Sequence, residues 1–325
     1  MRRLLVLLSF FATGIVVAGA TGLIWGTKQF ESPGPLEART TVEIPHGAGL
    51  STVARKLKAA GVIEHELVFS LGARLTDRAG ALKAGEYAFP PAVSPDKALA
   101  RIVAGRTVTY SLTIPEGLTS AQVVERVREA EALSGAIREI PAEGTLLPET
   151  YTYSRGHTRA RMINRMQASM DRLLAKLWPE RATDLPIHSK REAVTLASIV
   201  EKETAVPDER AVIAGVFINR LRKGMRLQSD PTVRYAVTEG EKTLDRPLTQ
   251  ADLDRDDPYN TYTRKGLPPG PIANPGRAAI KAALNPADTE YLYFVASGNG
   301  GHAFAKTLEA HNENVAEYRE RQRSN

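Results

Sequence analysis

Ala197-Ser198-Ile199-Val200-Glu201-Lys202-Glu203-Thr204 closes an apolar, helix-periodic run with two carboxylates spaced i and i+2. At about 100° per residue, Ala193, Leu196, Ala197, Ile199 and Val200 share one face, and Lys202 points away from it. Glu203 falls between Leu196 and Ile199 on this wheel, inside the apolar arc, whereas Glu201 falls near the opposite edge, between Val194 and Ala197. The two carboxylates therefore cannot converge on one atom. A carboxyl held against apolar side chains has its ionised form disfavoured, so it keeps a proton that it can donate near neutral pH. Spacing alone is met equally by two solvated edge residues of a surface helix.

The segments on either side predict an α+β chain. Arg159 to Trp178 carries Ile163, Met166, Met170, Leu173 and Leu174 at helical spacing, and the methionines read as core. Val206 to Arg222 reads as the next helix, with Pro207, Asp208 and Glu209 in its first turn and Gly224 beyond its end. A small α+β unit is expected over 41–106. It comprises a strand at Thr41–Ile44, a helix from Leu50 to Ala60 with Ser51 as a possible N-cap, a helix over Leu67–Leu75, a strand at Gly85–Phe89 and a helix opened by Ser94-Pro95 and stopped at Gly105. A larger α+β domain is expected over 107–325, from a strand at Val108–Ile114 to a charged terminal helix at Thr307–Arg321 that packs on the last strand, Tyr291–Ala296.

Arg2 and Arg3 precede an uncharged stretch from Leu4 to Trp25, and Lys28 follows it. About 20 apolar residues cross a bilayer, and arginine on the N-terminal side predicts a cytoplasmic N-terminus. Residues 1–27 thus read as a single-pass anchor in the cytoplasmic (inner) membrane, followed by a linker over 28–40 with Pro33, Gly34 and Pro35. The rest of the chain is then periplasmic or otherwise extracytoplasmic. Ala18-Gly19-Ala20 resembles a cleavage site, but the continuation through Gly22-Leu23-Ile24 to an interfacial Trp25 favours a retained anchor. The 325 residues include no cysteine, so disulfides, thiolate nucleophiles and Cys-ligated metals are excluded. A net charge of +6, with acidic residues interspersed throughout, forms no nucleic-acid stripe. The six histidines show no HExxH-type spacing, so no metal is expected. Lys202 has no phosphate-cradling glycine loop around it and lies on the polar face, so no cofactor is expected.

Beyond Gly224 the chain becomes polar. Leu227-Gln228-Ser229-Asp230-Pro231-Thr232 offers an amide, hydroxyls and a carboxylate, and Tyr259-Asn260-Thr261-Tyr262 adds two rings. Rings stack on sugar faces while amides and hydroxyls satisfy sugar hydroxyls, so Gln228, Ser229, Asp230, Thr232, Tyr259, Asn260, Thr261 and Tyr262 are candidate substrate-binding residues.

Eight segments in order carry a resemblance. They are Ile114-Pro115-Glu116-Gly117, Glu143-Gly144 through Leu147-Pro148-Glu149-Thr150-Tyr151, the Ala197–Glu203 stretch, Val216-Phe217-Ile218-Asn219-Arg220-Leu221, Leu227–Thr232, Tyr259–Tyr262, Gly266-Leu267-Pro268-Pro269-Gly270 and Gly300-Gly301-His302-Ala303-Phe304. Together they resemble the MltG (YceG-like) endolytic murein transglycosylases over nearly the whole chain, departing mildly at Leu147 and Glu149. The resemblance implies an N-terminal transmembrane helix, a LysM-like subdomain at 41–106 and a YceG-like catalytic domain at 107–325. It also implies cleavage inside peptidoglycan glycan strands of the β-1,4 bond from N-acetylmuramic acid to N-acetylglucosamine, leaving 1,6-anhydro ends, with Glu203 as the catalytic residue. Peptidoglycan synthases and division proteins are the implied partners. Two alternatives remain at this level: a muramidase, which needs a second carboxylate drawn from Glu201, Glu209 or Asp230 to activate water, and a membrane-tethered peptidoglycan-binding scaffold without catalysis.

Overall fold

The computed structural model describes residues 2–324, excluding the side chains of residues 2–9, 12 and 324. The chain is α+β, with helices and, among the described residues, three two-stranded sheets, and it divides into two compact units. The first holds residues 1–110 and 152–156, the second 111–151 and 157–325.

In the first unit, α1 (Arg2–Glu31) is followed by β1 (Thr40–Ile44), α2 (Leu50–Ala59), α3 (Glu66–Leu75), β2 (Gly85–Phe89) and α4 (Pro95–Ala104). The expected anchor, Leu4–Trp25, lies within α1, but the side chains of 4–9 and 12 fall outside the described residues. Among the described residues no helix is long and apolar enough to cross a membrane. β1 and β2 pair antiparallel, Thr40 opposite Phe89 and Ile44 opposite Gly85. Their inward residues Val42, Ile44, Tyr87 and Phe89 meet Val53 and Leu57 of α2, Phe69 of α3 and Leu99 and Ile102 of α4 in one core. The α4 boundaries follow local chemistry: Ser94 accepts from the Lys97 N–H, Pro95 takes the first turn, and Gly105 closes the helix at φ 70°. At α2 the N-cap is Gly49 rather than Ser51, and it makes no side-chain cap.

The remaining elements, in the second unit apart from Tyr110, Thr152 and Tyr153, are β3 (Tyr110–Thr113), α5 (Ser120–Glu129), β4 (Thr150–Tyr153), α6 (Arg159–Leu177), α7 (Lys190–Glu203), α8 (Arg210–Arg222), α9 (Asp230–Thr238), α10 (Gln250–Leu253), α11 (Arg277–Leu284), β5 (Tyr293–Ala296), β6 (His302–Ala305) and α12 (Leu308–Ser324). β3 pairs with β4 and β5 with β6, and the chain passes between the units within β3 and β4. At the centre lies α7, packed against α8, α9 and α11. The wheel anticipates one buried face, but every residue from Ala193 to Val200 is buried. Burial of the polar positions is tolerated because each is bonded: Thr195 Oγ1 donates to the Arg191 carbonyl (2.9 Å), while Ser198 Oγ donates to the Thr195 carbonyl (2.7 Å) and accepts from the Ile272 N–H (3.0 Å). Full burial of Ile199 and Val200 contributes about 1.5–3 kcal/mol each, which fixes the C-terminal end of α7.

Two features bear on the site. The helix expected from Val206 begins at Arg210, after a 3-10 turn over Pro207–Glu209 in which Thr204 Oγ1 accepts from the Val206 N–H and donates to Glu209. Asp230-Pro231-Thr232, part of the polar stretch beyond Gly224, forms the first turn of α9.

Candidate active site

Glu203 is the last residue of α7, half-buried, with one edge open to a cleft of about 440 Å³. Gln228, Asp230 and Tyr262 line that cleft beside it, together with Arg220 of α8, Tyr293 and Phe294 of β5, and Leu308, His311 and Asn312 of α12. The size suits a small number of sugar rings, since ligand clefts run from about 300 to 1,000 Å³.

The acid is held by a serine that forgoes its usual work. Ser229 occupies the N-cap position of α9 yet makes no side-chain cap; its Oγ donates to Glu203 Oε1 at 2.5 Å. A serine cap is worth about 1 kcal/mol, so the local helix gives up stability to fix the carboxyl. The Glu203 pKa is pushed up to about 7: burial is the largest cause, the Ser229 hydrogen bond opposes it, the Asp230 carboxylate adds to the rise and the Arg220 guanidinium opposes it. Its place at the C-terminal, negative end of α7 acts in the raising direction too. Near neutral pH a large fraction of Glu203 therefore carries a transferable proton.

Around it, Asp230 Oδ1 accepts from the Tyr262 hydroxyl (2.6 Å), and burial together with that bond raises the Tyr262 pKa, so the phenol stays protonated. Gln228 adopts φ 51°, a left-handed conformation costly for a residue with a Cβ, of the order of 1–3 kcal/mol. Its N–H donates to the Thr261 carbonyl (3.2 Å), and its side-chain oxygen lies 3.4 Å from Arg220 Nη1. Below this rim, Thr261 Oγ1 accepts from the Ser229 N–H (3.0 Å) and lies 2.8 Å from Thr232 Oγ1; both threonines are buried. Asn260 is fully buried, and its amide donates to the carbonyls of Leu253 (2.9 Å) and Arg255 (2.8 Å). Tyr259 packs on Tyr235, with ring centroids 4.8 Å apart, and is not among the residues lining the Glu203 cleft. Of the eight residues expected to contact substrate, Gln228, Asp230 and Tyr262 face the cleft; Ser229, Thr232, Asn260 and Thr261 build its wall, and Tyr259 lies apart.

The other carboxylates near Glu203 in sequence are committed elsewhere. Glu201 Oε2 accepts from the Gly276 N–H (2.9 Å) and Oε1 lies 3.7 Å from Arg210, on the far side of α7 as the wheel requires. Glu209 accepts from the His302 N–H (2.7 Å) and pairs with His302 Nδ1 (2.6 Å); burial would raise its pKa, but these bonds and that from Thr204 hold it low. Glu143, also pushed up to about 7 by burial, accepts from the Ser120 N–H (2.7 Å) and the Asn274 amide (3.1 Å). Gly144 follows at φ 77°, where a Cβ would lie 2.5 Å from Pro271 and 2.8 Å from Val194, so the Glu143-Gly144 pair admits no side chain at its second position.

Arg220, Tyr293, Phe294, Leu308, His311 and Asn312 were not anticipated as site residues. Arg220 is buried at 7% exposure, and burial together with Arg220 lowers the His311 pKa, which favours the neutral imidazole. The His311 Nδ1 is buried without a hydrogen-bond partner among the described residues. The Val216–Leu221 motif includes Arg220, while the other five fall in the expected last strand and terminal helix, read there as structural elements. Among the described residues no group of three or more His, Cys, Asp or Glu is placed to hold a metal.

The signs of the electrostatics make a paired prediction. Asp230→Asn removes a charge that disfavours the Glu203 carboxylate, so the alkaline limb of the pH–activity profile moves to lower pH. Ser229→Ala removes a hydrogen bond that favours the carboxylate, so the same limb moves to higher pH. Profiles of kcat/KM for the two variants check this, and shifts in the same direction would refute the assignment of that limb to Glu203.

A half-buried carboxyl with a raised pKa thus stands at the edge of an open polar cleft, with amide and phenol groups beside it, an arrangement able to donate a proton to a bound molecule. The chain belongs to the YceG-like family, whose profile matches residues 42–317. A Bacillus subtilis (strain 168) protein named endolytic murein transglycosylase is 31% identical over 94% of this chain and 91% of its own length. A Streptococcus pneumoniae serotype 2 (strain D39) protein of the same name is 32% identical over 87% of this chain, which spans 60% of that longer protein. The crystal structure of a YceG-like protein from Listeria monocytogenes, 35% identical, superposes with a TM-score of 0.53 and covers 85% of this chain and 99% of its own.

Proposed function

We propose that this chain is an endolytic peptidoglycan transglycosylase that cuts the β-1,4 bond from N-acetylmuramic acid to N-acetylglucosamine within glycan strands. The observation that carries the reading is the half-buried Glu203 at the edge of its cleft, its pKa raised by burial, in a chain whose relatives bear that activity in their names. Protonated Glu203 gives its proton to the glycosidic oxygen as the bond from that oxygen to muramyl C1 breaks, and the bonding pair leaves with the oxygen. The C6 hydroxyl oxygen of the muramyl residue then bonds to C1, and its proton passes to the Glu203 carboxylate. The acid is restored, no water is consumed, and a 1,6-anhydro ring ends the strand. Positive charge developing at C1 faces Asp230, the other carboxylate lining the cleft, while Gln228 and Tyr262 orient the sugar and its acetamido group. Ser229, Thr232, Asn260 and Thr261 hold the wall that positions them.

The rest of the reading concerns place. Leu4–Trp25 anchors the chain in the cytoplasmic membrane with its N-terminus inside, residues 41–106 form a LysM-like subdomain, and residues 107–325 act outside the cytoplasm near synthases and division proteins. Digestion of defined glycan strands followed by mass spectrometry tests the chemistry. Products lighter by one water, with anhydro ends, are expected; reducing ends would make the enzyme a muramidase with Asp230 as the water-activating base, and intact strands would leave a binding scaffold.

A further inference from the structure

A second cavity, of about 220 Å³, is lined by Lys202, Arg234 and Lys242, with apolar surface from Pro231, Leu244 and Ile272. Lys202 immediately precedes Glu203 in α7, and Pro231 immediately follows Asp230 in α9. Consecutive helical residues diverge by about 100°, so each helix end sends one residue to the acid's cleft and its neighbour to this cavity. The C-terminus of α7 and the first turn of α9 thus form a wall common to both.

The three cations are exposed, and among the described residues none of them forms an ion pair. Lys202 Nζ donates only to the Gly117 carbonyl (3.3 Å), and Arg234 Nη1 to the carbonyls of Leu244 (3.2 Å) and Arg246 (3.3 Å). Glu116 and Glu201 face Arg210, with Glu201 also acting on Lys202, and Glu143 is held by Ser120 and Asn274; no carboxylate, those of Glu239, Glu241 and Asp245 beside the rim included, is among the residues lining the cavity. Like charges gathered around one concavity raise the local potential and favour entry of an anion. Thr119, Gln122 and Thr243 on the same lining supply hydrogen bonds, and the apolar patch accommodates small side chains. This combination matches an acidic peptide bearing methyl groups better than a bare inorganic anion or a neutral sugar.

We propose that this cavity is a subsite for the acidic peptide attached to muramic acid, with Lys202, Arg234 and Lys242 receiving its carboxylates. The proposal rests on the transglycosylase reading, which places a muramyl residue at Glu203. Reach is sufficient: a helix with its side chains is about 10–12 Å across, and four extended residues span up to about 14 Å. The subsite makes the enzyme select peptide-bearing strands over naked ones.

Matched strands, with their peptides or stripped of them by an amidase, test this on the full chain. K202M/K242M should lower kcat/KM about tenfold on peptide-bearing strands, equivalent to about 1.4 kcal/mol, and leave naked strands within about twofold. Arg234 is left in place because it holds the 244–246 segment. The preference of the unaltered enzyme for peptide-bearing strands should also shrink as salt rises. Equal losses on both substrates, or no loss on either, would overturn the proposal. Binding is measured in parallel on a Glu203→Gln background, where strands are not cut: there the two lysine changes should weaken affinity about tenfold for peptide-bearing strands alone, and unchanged affinity overturns the subsite. If the unaltered enzyme cuts neither substrate, the transglycosylase reading falls while this binding comparison still decides the subsite.

Discussion

Glu203→Gln will lower turnover of glycan strands by about 10³- to 10⁴-fold with little change in strand binding. One carboxyl serves first as acid and then as base, and general acid–base catalysis by a positioned side chain contributes typically about 10² to 10⁴. The amide can still accept the Ser229 hydroxyl proton, so the wall of the cleft persists. A residual rate above about a tenth of the original would move the acid to another residue, and Asp230 would be the next to test. The same substitution will raise Tm at alkaline pH. In the folded chain Glu203 keeps its proton to about pH 7, against an ordinary value of 4.5, so the folded state binds that proton more tightly than the unfolded chain. The stability this confers is fully present below about pH 4.5 and is lost as pH rises through about 7. Glutamine does not ionise and escapes that loss. Glu143, pushed up to about 7 as well, is unchanged in the variant, so the difference between the two Tm curves isolates Glu203. An inactive variant that gains stability over wild type between about pH 5 and 8 is the signature of an acid kept at the expense of the fold.

Much of this site was legible because its central feature is local. The 3.6-residue period alone separates Glu203 from Glu201, and the two do reach different partners, Ser229 and Gly276. Helix ends marked by Ser94-Pro95 and Gly105 were legible for the same reason. What periodicity cannot carry is the distant contact. Asn260 reads as a polar loop residue suited to sugar, yet its amide is taken by three carbonyls five to eight residues upstream, which leaves it no exposed surface. Ser229 reads as a ligand-binding hydroxyl, and its partner is a carboxyl 26 residues away. His311 lies in the charged terminal helix, whose expected packing on the Tyr291–Ala296 strand is found, but which of its residues would line a cleft is set by distant packing rather than by period. Side chains that close a polar loop on itself, and those that face a cleft, share the same composition.

Arg220 is the strongest case of a residue hidden by composition, and replacing it should have the largest effect on stability. It stands in the last turn of α8, where a cation reads as a solvated partner of the helix terminus. Instead its Nε donates to the Leu292 carbonyl (2.6 Å) and its Nη1 to the carbonyls of Leu227 (2.9 Å) and Arg226 (3.2 Å), while the guanidinium lies 5.2 Å from the Tyr293 ring centroid. One planar group thereby ties α8 to the strand entering β5 and to the segment that carries Gln228 at φ 51°. Arg220→Met leaves those carbonyls without a donor, at about 1–3 kcal/mol for each buried acceptor. A total of about 4 kcal/mol would lower Tm by about 8–16 °C in a domain of this size. Removing the cation also withdraws a charge that favours the Glu203 carboxylate, so the alkaline limb of the pH profile moves to higher pH. Arg220→Lys separates the two effects: the charge remains, so the limb stays nearer its original place, but one ammonium cannot match the fork of donors, and Tm still falls. A lysine variant as stable as wild type would refute the structural role, and a methionine variant whose limb moves to lower pH would refute the electrostatic one. Both outcomes are read from thermal melts and pH profiles on the same preparations, so the tie that shapes the cleft wall and the charge that tunes the acid are tested together in one side chain.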